Sequence, residues 1–322
     1  MALKNMKVFQ DFVRTATIET VAQEIEKFNA ASGGAIVLSS EGFGGDFFQS
    51  NMFKGLHASQ RRVDRYAVNG AASATALAQI EHNVVKVAGG FGPVIWEPSQ
   101  ISWVEQNEAQ AIEAISSNLA EAIMQDQLNT IIASGLAAIE NIAAITNDIS
   151  ASAGISLTAL NNTHALFGDR STMLIAQVMN GTTYHKLIGE NITNTNRLYE
   201  YNSIRILDVL GKVTVVTDAP ALFVAGTPNK LKVLTLVANG AFVMDGSDLI
   251  VNIETTNNKQ RIETTFQADY AFGAGLKGFA WDTANGGKSP TDAELSTGTN
   301  WDQITTSIKD LAGVVTVVDA DQ

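Results

Sequence analysis

The sequence predicts an α+β protein, with helices and strands in separate blocks rather than in alternation. Three observations carry this reading. A long helical pattern with one apolar face runs from about residue 104 to 133. Short runs rich in valine and threonine crowd residues 212–276. A last such run, Val314–Val318, follows near the end.

In chain order, the first thirty residues read as helix. Thr20-Val-Ala-Gln23 fits a capping box, and Val21, Ala22, Ile25 and Phe28 then share a face. Gly33-Gly34 ends it. Residues 39–50 are glycine-rich and carry Phe43, Phe47 and Phe48. Such side chains need burial, in their own core or against a neighbouring chain. Residues 60–88 read as a long polar hairpin, an excursion rather than a domain. Arg62–Val68 is one arm, Asn69-Gly70 the turn and Val84–Val87 part of the return. Gly89-Gly-Phe-Gly-Pro93 punctuates. Ser102–Glu105 offers a cap to the long helix, in which Ile112, Ile115, Leu119, Ile123, Leu128, Ile131 and Ile132 keep one face apolar. Such a helix would be roughly 45 Å long, with Gly135 bending or weakening it.

A second helical pattern covers Asp169 to about Ile188, through Leu174, Ile175, Val178, Tyr184 and Leu187. Strands follow at Lys212–Thr217 and Leu249–Glu254, and Leu234–Ala238 with Ala241–Met244 forms a hairpin about Asn239-Gly240. Thr256–Lys259 turns the chain into a long strand. There Ile262, Thr264, Phe266, Ala268, Tyr270 and Phe272 share a core face, and Arg261, Glu263, Thr265, Gln267 and Asp269 a polar one. A short helix near Trp301–Leu311 precedes the final strand.

Composition narrows the function. The 322 residues are 45% hydrophobic and 17% charged, with a formal charge of −12. The absence of cysteine excludes disulfides, thiolate-bound zinc and thiol nucleophiles. No apolar run approaches the roughly 18 residues of a membrane span, and the first residues show no apolar signal core, so neither a membrane partner nor a secretory leader is expected. An acidic chain gains little from counterion release, so sequence-specific nucleic-acid binding is not expected.

No motif specifies a reaction. Gly273-Ala-Gly275-Leu-Lys-Gly278 spells the dinucleotide fingerprint, but no helix begins within it to face a pyrophosphate. Glycines in a strand where another group packs closely explain it better. His57, His82, His164 and His185 lack the spacing of a zinc site and read as surface or packing residues. Asp245-Gly-Ser-Asp248 is too short for a calcium loop and reads as a turn. No nucleophile elbow or Walker loop occurs. No catalytic, metal or cofactor residue is assigned, and the chain is not expected to be an enzyme.

Charge is segregated instead. Between Lys86 and Arg170 there is no lysine or arginine, while Glu97, Glu105, Glu108, Glu113, Glu121, Asp126, Glu140, Asp148 and Asp169 all fall there. Just before it, Lys54, Arg61, Arg62 and Arg65 cluster at the base of the polar excursion. A solvated acidic helix face is one reading. In the other, the basic excursion of one subunit lies over the acidic helix of the next, making Lys54, Arg61, Arg62 and Arg65, with Glu105, Glu108, Glu113 and Glu121, candidate intersubunit contacts.

Several phrases, in order, resemble a known family. Gln60-Arg-Arg and Val85-Lys-Val with Gly-Phe-Gly-Pro93 are similar to the extended loop and its exit in tailed-bacteriophage major capsid proteins of the Hong Kong 97 type. Gly168–Leu187, with Val-Met-Asn and Tyr184-His-Lys-Leu187, resembles their apical-domain helix, and Gly211–Pro220 the strand and turn after it. Thr265–Asp282 resembles their peripheral-domain strand, and Lys309-Asp-Leu-Ala-Gly313-Val their tail. The similarity covers most of the chain from about residue 36.

The resemblance implies a division of the chain: an N-terminal arm (1–35), an extended loop region (36–92) and a peripheral domain with a spine helix (93–150). An axial domain (151–255), a peripheral return strand (256–282) and a C-terminal segment returning to the axial domain (283–322) follow. It implies self-assembly into pentamers and hexamers of an icosahedral shell around double-stranded DNA held nonspecifically, as a virion component assembled in the host cytoplasm. A separate scaffold or none is expected, because no long helical scaffolding segment precedes residue 36; portal and decoration proteins are possible partners. Two alternatives stay open: an encapsulin-like compartment of the same fold, and a solitary enzyme with an unrecognised site.

Overall fold

The computed structural model describes residues 3–42, 45–53, 60–71, 74, 79–97, 108–193, 208–245, 249–257 and 260–322. Helix α1 spans Leu3–Ala31. Val13 and Thr17 on it are buried, and Ile25 and Phe28 pack against the core. Ala22, expected on this face, is exposed. Thr20 is not a cap. It lies mid-helix, and its hydroxyl donates to the Ala16 carbonyl at 2.8 Å, an outlet open to any threonine already inside a helix. The helix does end at the glycines: Gly33 and Gly34 adopt φ of 63° and 77°, which only glycine enters at no steric cost.

The chain then runs through β1 (Ile36–Gly42), β2 (Phe47–Phe53), β3 (Gln79–Trp96), α2 (Glu108–Glu140), β4 (Thr146–Asp148), α3 (Leu157–Ala165), β5 (Leu174–Met179) and α4 (Gly181–Thr193). It continues through β6 (Asp208–Val209), β7 (Lys212–Val216), β8 (Phe223–Val224), β9 (Lys230–Val237), β10 (Ala241–Asp245), β11 (Ile250–Thr256), β12 (Glu263–Leu276) and β13 (Phe279–Trp281). α5 (Asp292–Leu295), β14 (Trp301–Gln303) and β15 (Gly313–Asp319) complete it.

Two large sheets result. The first has the order β1-β10-β12-β3-β2, with β11 also on β12. β12 is its axis: it pairs with β3 along one edge, and with β11 and then β10 along the other. Thr264, Ala268, Tyr270 and Phe272 are buried while Gln267 and Asp269 are exposed, the alternation expected of a strand with one wet face. A Cβ on Gly275 would sit 2.4 Å from the Phe242 ring. Gly278, at φ 80°, then turns the chain into β13. The glycine motif is thus a strand end and a turn, and no helix follows it.

The second sheet has the order β4-β15-β9-β5-β7-β6, with β8 also on β9. All seven residues of β15 are buried, which is why this strand reads as an unbroken valine run rather than an alternation. α2 packs against β9 and β15 of this sheet and against β10 and β12 of the first. At 33 residues it is about 50 Å long. It continues through Gly135, where an added Cβ would lie 3.4 Å from Leu234 Cδ2 and 3.7 Å from Leu276 Cδ2. The glycine lets the helix approach both sheets where they meet.

Three expected elements differ. Asn239-Gly240 is a tight turn but not a hairpin: β9 lies in one sheet and β10 in the other. Asn239 has φ 53°, and its N–H donates to the Gly34 carbonyl at 2.8 Å. Any Cβ on Gly240 would meet the Ala312 carbonyl at 2.6 Å. The pattern Asp169–Ile188 is not one helix. A 3-10 turn (Gly168–Met173) leads into β5, and α4 starts only after Asn180, whose Oδ1 accepts from the Thr183 N–H at 2.8 Å. The segment from Trp301 holds β14, paired with β13, and a 3-10 turn at Ile308–Asp310. The helix nearby is α5, closed by a capping box between Thr291 and Glu294.

The excursion is also arranged differently. Its paired arms are β2 and β3, from Phe47↔Val85 to Phe53↔Gln79. Arg62–Val68 forms no strand and Asn69-Gly70 no hairpin turn. Helix α3, capped by Ser156 Oγ accepting from the Ala159 N–H at 3.1 Å, was not foreseen. The cap proposed at Ser102–Glu105 and parts of the turns at Asp245–Asp248 and Thr256–Lys259 lie outside the described residues.

Candidate assembly interface

β2 and β3 flank residues 60–71 in the chain. Residues 60–71 have no regular secondary structure, and every one is exposed. Asp64 Oδ1 accepts from the Tyr66 N–H at 2.9 Å, a local turn that sets Tyr66 beside Arg65. The Arg65 guanidinium carbon lies 6.0 Å from the Tyr66 ring centroid, within reach of a weak cation–π contact. Tyr66 is 91% and Val68 97% exposed. Among the described residues, no acid of the same chain pairs with Arg61, Arg62 or Arg65. Arginine, tyrosine and valine thus stand together on an exposed surface of mixed charged and apolar character. Of the phenylalanines before it, Phe47 packs into the core and Phe48 lies on the exposed face, as the alternation of β2 dictates; Phe43 lies outside the described residues.

Glu113 and Glu121 lie exposed on α2, about 12 Å apart along the helix axis. Lys54, Glu105 and the side chain of Glu108 lie outside the described residues. Further along α2, a groove of about 650 Å³ runs between the helix, β8 and α5. Asp126, Asp292 and Glu140 line it beside Phe223 and Val224, and Lys232, also on its wall, is held by Glu140 at 2.7 Å. Burial raises the Asp126 carboxyl above its ordinary value, against the opposing hydrogen bond from the Tyr270 hydroxyl; Asp292 adds to the rise.

The tyrosine–aspartate bond ties β12 to α2, and the composition of neither segment announced it. Tyr270 is the one polar aromatic on the core face of its strand, and a buried tyrosine hydroxyl seeks a partner; that was the available signal. Charges elsewhere brace the chain internally. Lys309 pairs with Asp169 and Arg170 with Asp310, joining the two 3-10 turns. Lys230 pairs with Asp148 at 3.1 Å, and Arg261 with Glu97 at 2.8 Å. Glu97, Glu140, Asp148 and Asp169 are therefore committed within the chain, whereas Glu113 and Glu121 pair with no base among the described residues.

Of the histidines, His82 and His164 are buried packing residues and His185 is exposed; His57 lies outside the described residues. No group of three or more metal-ligating side chains occurs among the described residues, and none of their helices is long and apolar enough to cross a membrane.

Residues 5–315 match the family model described as Gp13-like, major capsid protein 13-like. No curated protein matches in sequence. Among solved structures, the capsid of cyanophage Pam1 superposes with a TM-score of 0.54 at 12% identity, covering 88% of each chain. The capsid of Ralstonia phage GP4 gives 0.50 at 12% identity, covering 90% of this chain and 88% of that one. The SrpI encapsulin of Synechococcus elongatus gives 0.51 at 11% identity, covering 88% and 86%. At such identities these superpositions establish a shared fold, that of tailed-phage shells of the Hong Kong 97 type. With the family match running over nearly the whole length, the chain belongs to the Gp13-like family of major capsid proteins.

Proposed function

We propose that copies of this chain build pentamers and hexamers of a closed icosahedral shell around double-stranded DNA, joined by the excursion of one subunit lying over α2 of the next. In this reading the chain divides as an arm (1–35), a loop region (36–92), a peripheral domain with its return strand (93–150 and 256–282), and an axial domain with its closing segment (151–255 and 283–322). The observation that supports it is the separation of opposite charges on the exposed surface. Arg61, Arg62 and Arg65 stand exposed without an acid of their own chain among the described residues, and Glu113 and Glu121 stand exposed on a helix with no basic residue. An exposed ion pair contributes only about 0–1 kcal/mol. Repetition around every ring adds these terms, and wrong registers meet like charge.

Packaged DNA is held weakly and without sequence preference, as a chain of charge −12 favours. Assembly takes place in the host cytoplasm, with scaffold, portal and decoration proteins as further partners. Arg61→Glu with Arg62→Glu should block assembly while the subunit stays folded, and Glu113→Lys with Glu121→Lys in the same chain should restore part of it. Normal shell yield from the double reversal at low salt would exclude the arrangement. The superposition on an encapsulin favours one second reading, a compartment for protein cargo. The content of purified particles separates the two: nucleic acid for a capsid, a cargo enzyme for the alternative.

A further inference from the structure

The sequence contains four Asn-Gly pairs, at 69–70, 180–181, 239–240 and 285–286. In such a pair the glycine nitrogen can attack the asparagine side-chain carbonyl carbon, because no Cβ hinders its approach. The attack needs a glycine N–H free to lose its proton and an asparagine side chain free to swing over its own backbone. A folded backbone denies both wherever the groups are hydrogen-bonded.

Three of the pairs are locked. Gly240 N–H donates to the Val237 carbonyl at 3.0 Å, in the turn pinned between the two sheets. Gly286 N–H donates to the Asp282 carbonyl at 2.9 Å, and Asn285 Nδ2 donates to Asp282 Oδ2. Asn180 Oδ1 accepts from both the N–H (2.8 Å) and the hydroxyl (2.6 Å) of Thr183, and Gly181 N–H faces Asp218 Oδ1 at 3.4 Å. The pair at 69–70 differs on every count. It lies in the exposed segment without helix or strand. Apart from its chain neighbours, no atom of the described residues lies within 4 Å of where a Cβ on Gly70 would stand.

We propose that Asn69 is a self-modification site of the free subunit, one that assembly protects. The Gly70 nitrogen, deprotonated by solvent hydroxide, bonds to Asn69 Cγ. The bond from Cγ to Nδ2 breaks, and the amide nitrogen leaves as ammonia after taking a proton from water. The product is a five-membered succinimide. Water then adds to one of its two carbonyls and opens the ring, giving aspartate or isoaspartate. The sum is amide plus water to carboxylate plus ammonium, with no oxidant or reductant.

The new carboxylate stands four residues from Arg65, in the segment that carries Arg61 and Arg62. It lowers the charge of the excursion by one, and the isoaspartyl form lengthens the backbone there. Modified subunits therefore become poorer partners for an acidic surface. This consequence rests on the docking reading above; the chemistry at Asn69 does not.

The test uses full-length free subunits incubated in mildly alkaline buffer and mapped by peptide mass spectrometry, with isoaspartate detected by enzymatic methylation. The Asn69 peptide should convert while those of Asn180, Asn239 and Asn285 stay amide; Asn69→Gln should abolish the conversion and Gly70→Ala should slow it strongly. An unchanged Asn69 peptide, or equally fast conversion at another pair, overturns the site. A second arm compares assembled shells with free subunits. Conversion lost in shells supports protection. Equal conversion overturns protection and counts against the docked excursion, while the site itself stands.

Discussion

His164 is buried beneath the second sheet, its Nε2 facing Gln177 Nε2 at 3.1 Å. Burial, reinforced by the Lys212 ammonium, lowers its pKa from 6.5 to about 4. The folded value lies below the unfolded one, so the unfolded chain takes the proton first. The stability tied to the neutral ring is therefore complete above about 6.5 and lost as pH falls toward 4. That interval corresponds to roughly 3 kcal/mol at most. Urea unfolding of free subunits across it should show the decline, and His164→Asn should flatten it; an unchanged slope would mean that other groups carry the acid sensitivity. Tyr270 offers a second residue test. Tyr270→Phe removes the donor from the half-buried Asp126 carboxylate and should cost about 1 kcal/mol at neutral pH. The loss should shrink in acid, where Asp126 is protonated. Neither residue stood out in the sequence, because the perturbation comes from neighbours distant along the chain.

Elements were legible where one rule decides them. α1, α2, β12 and β15 follow from periodicity, or from a valine run long enough to be buried on both faces. Elements failed where a local signal admits two tertiary outcomes. Asn239-Gly240 specifies a tight turn, and only the Gly34 and Ala312 carbonyls make that turn a crossing between sheets. Leu174–Met179 is apolar enough for a helix or a buried strand, and pairing with β7 and β9 selects the strand. Such crossings have little tolerance. A Cβ on Gly313 would fall 1.9 Å from the Thr235 carbonyl oxygen, so Gly313→Ala must displace β15 from β9. It should cost about 1–3 kcal/mol, read as a lower urea midpoint; wild-type stability would show that the strands separate freely. The excursion makes the opposite prediction. Brief tryptic digestion of free subunits should cut first after Arg61, Arg62 or Arg65 and leave the sheets intact. Early cuts elsewhere would contradict its exposure.

At the scale of the molecule, the charge segregation needed no geometry to be seen, because it is written along the chain. Which acids would meet the arginines in the proposed contact is not legible along one chain, and the fold only reduces the choice by committing Glu97, Glu140, Asp148 and Asp169 within the chain. Of the two groups, the described members left without an ion pair among the described residues are Arg61, Arg62 and Arg65 of the excursion and Glu113 and Glu121 of α2. The central claim is that the first closes over the second between copies of a shell. The most direct test is a cryo-electron microscopy reconstruction of particles formed by the full chain. The account predicts closed icosahedral shells in which density for residues 60–71 crosses a subunit boundary and the arginines lie within ion-pair reach of Glu113 or Glu121 of the neighbour. Shells in which that segment folds back on its own subunit, or a protein that stays a small oligomer of fixed mass, would contradict it.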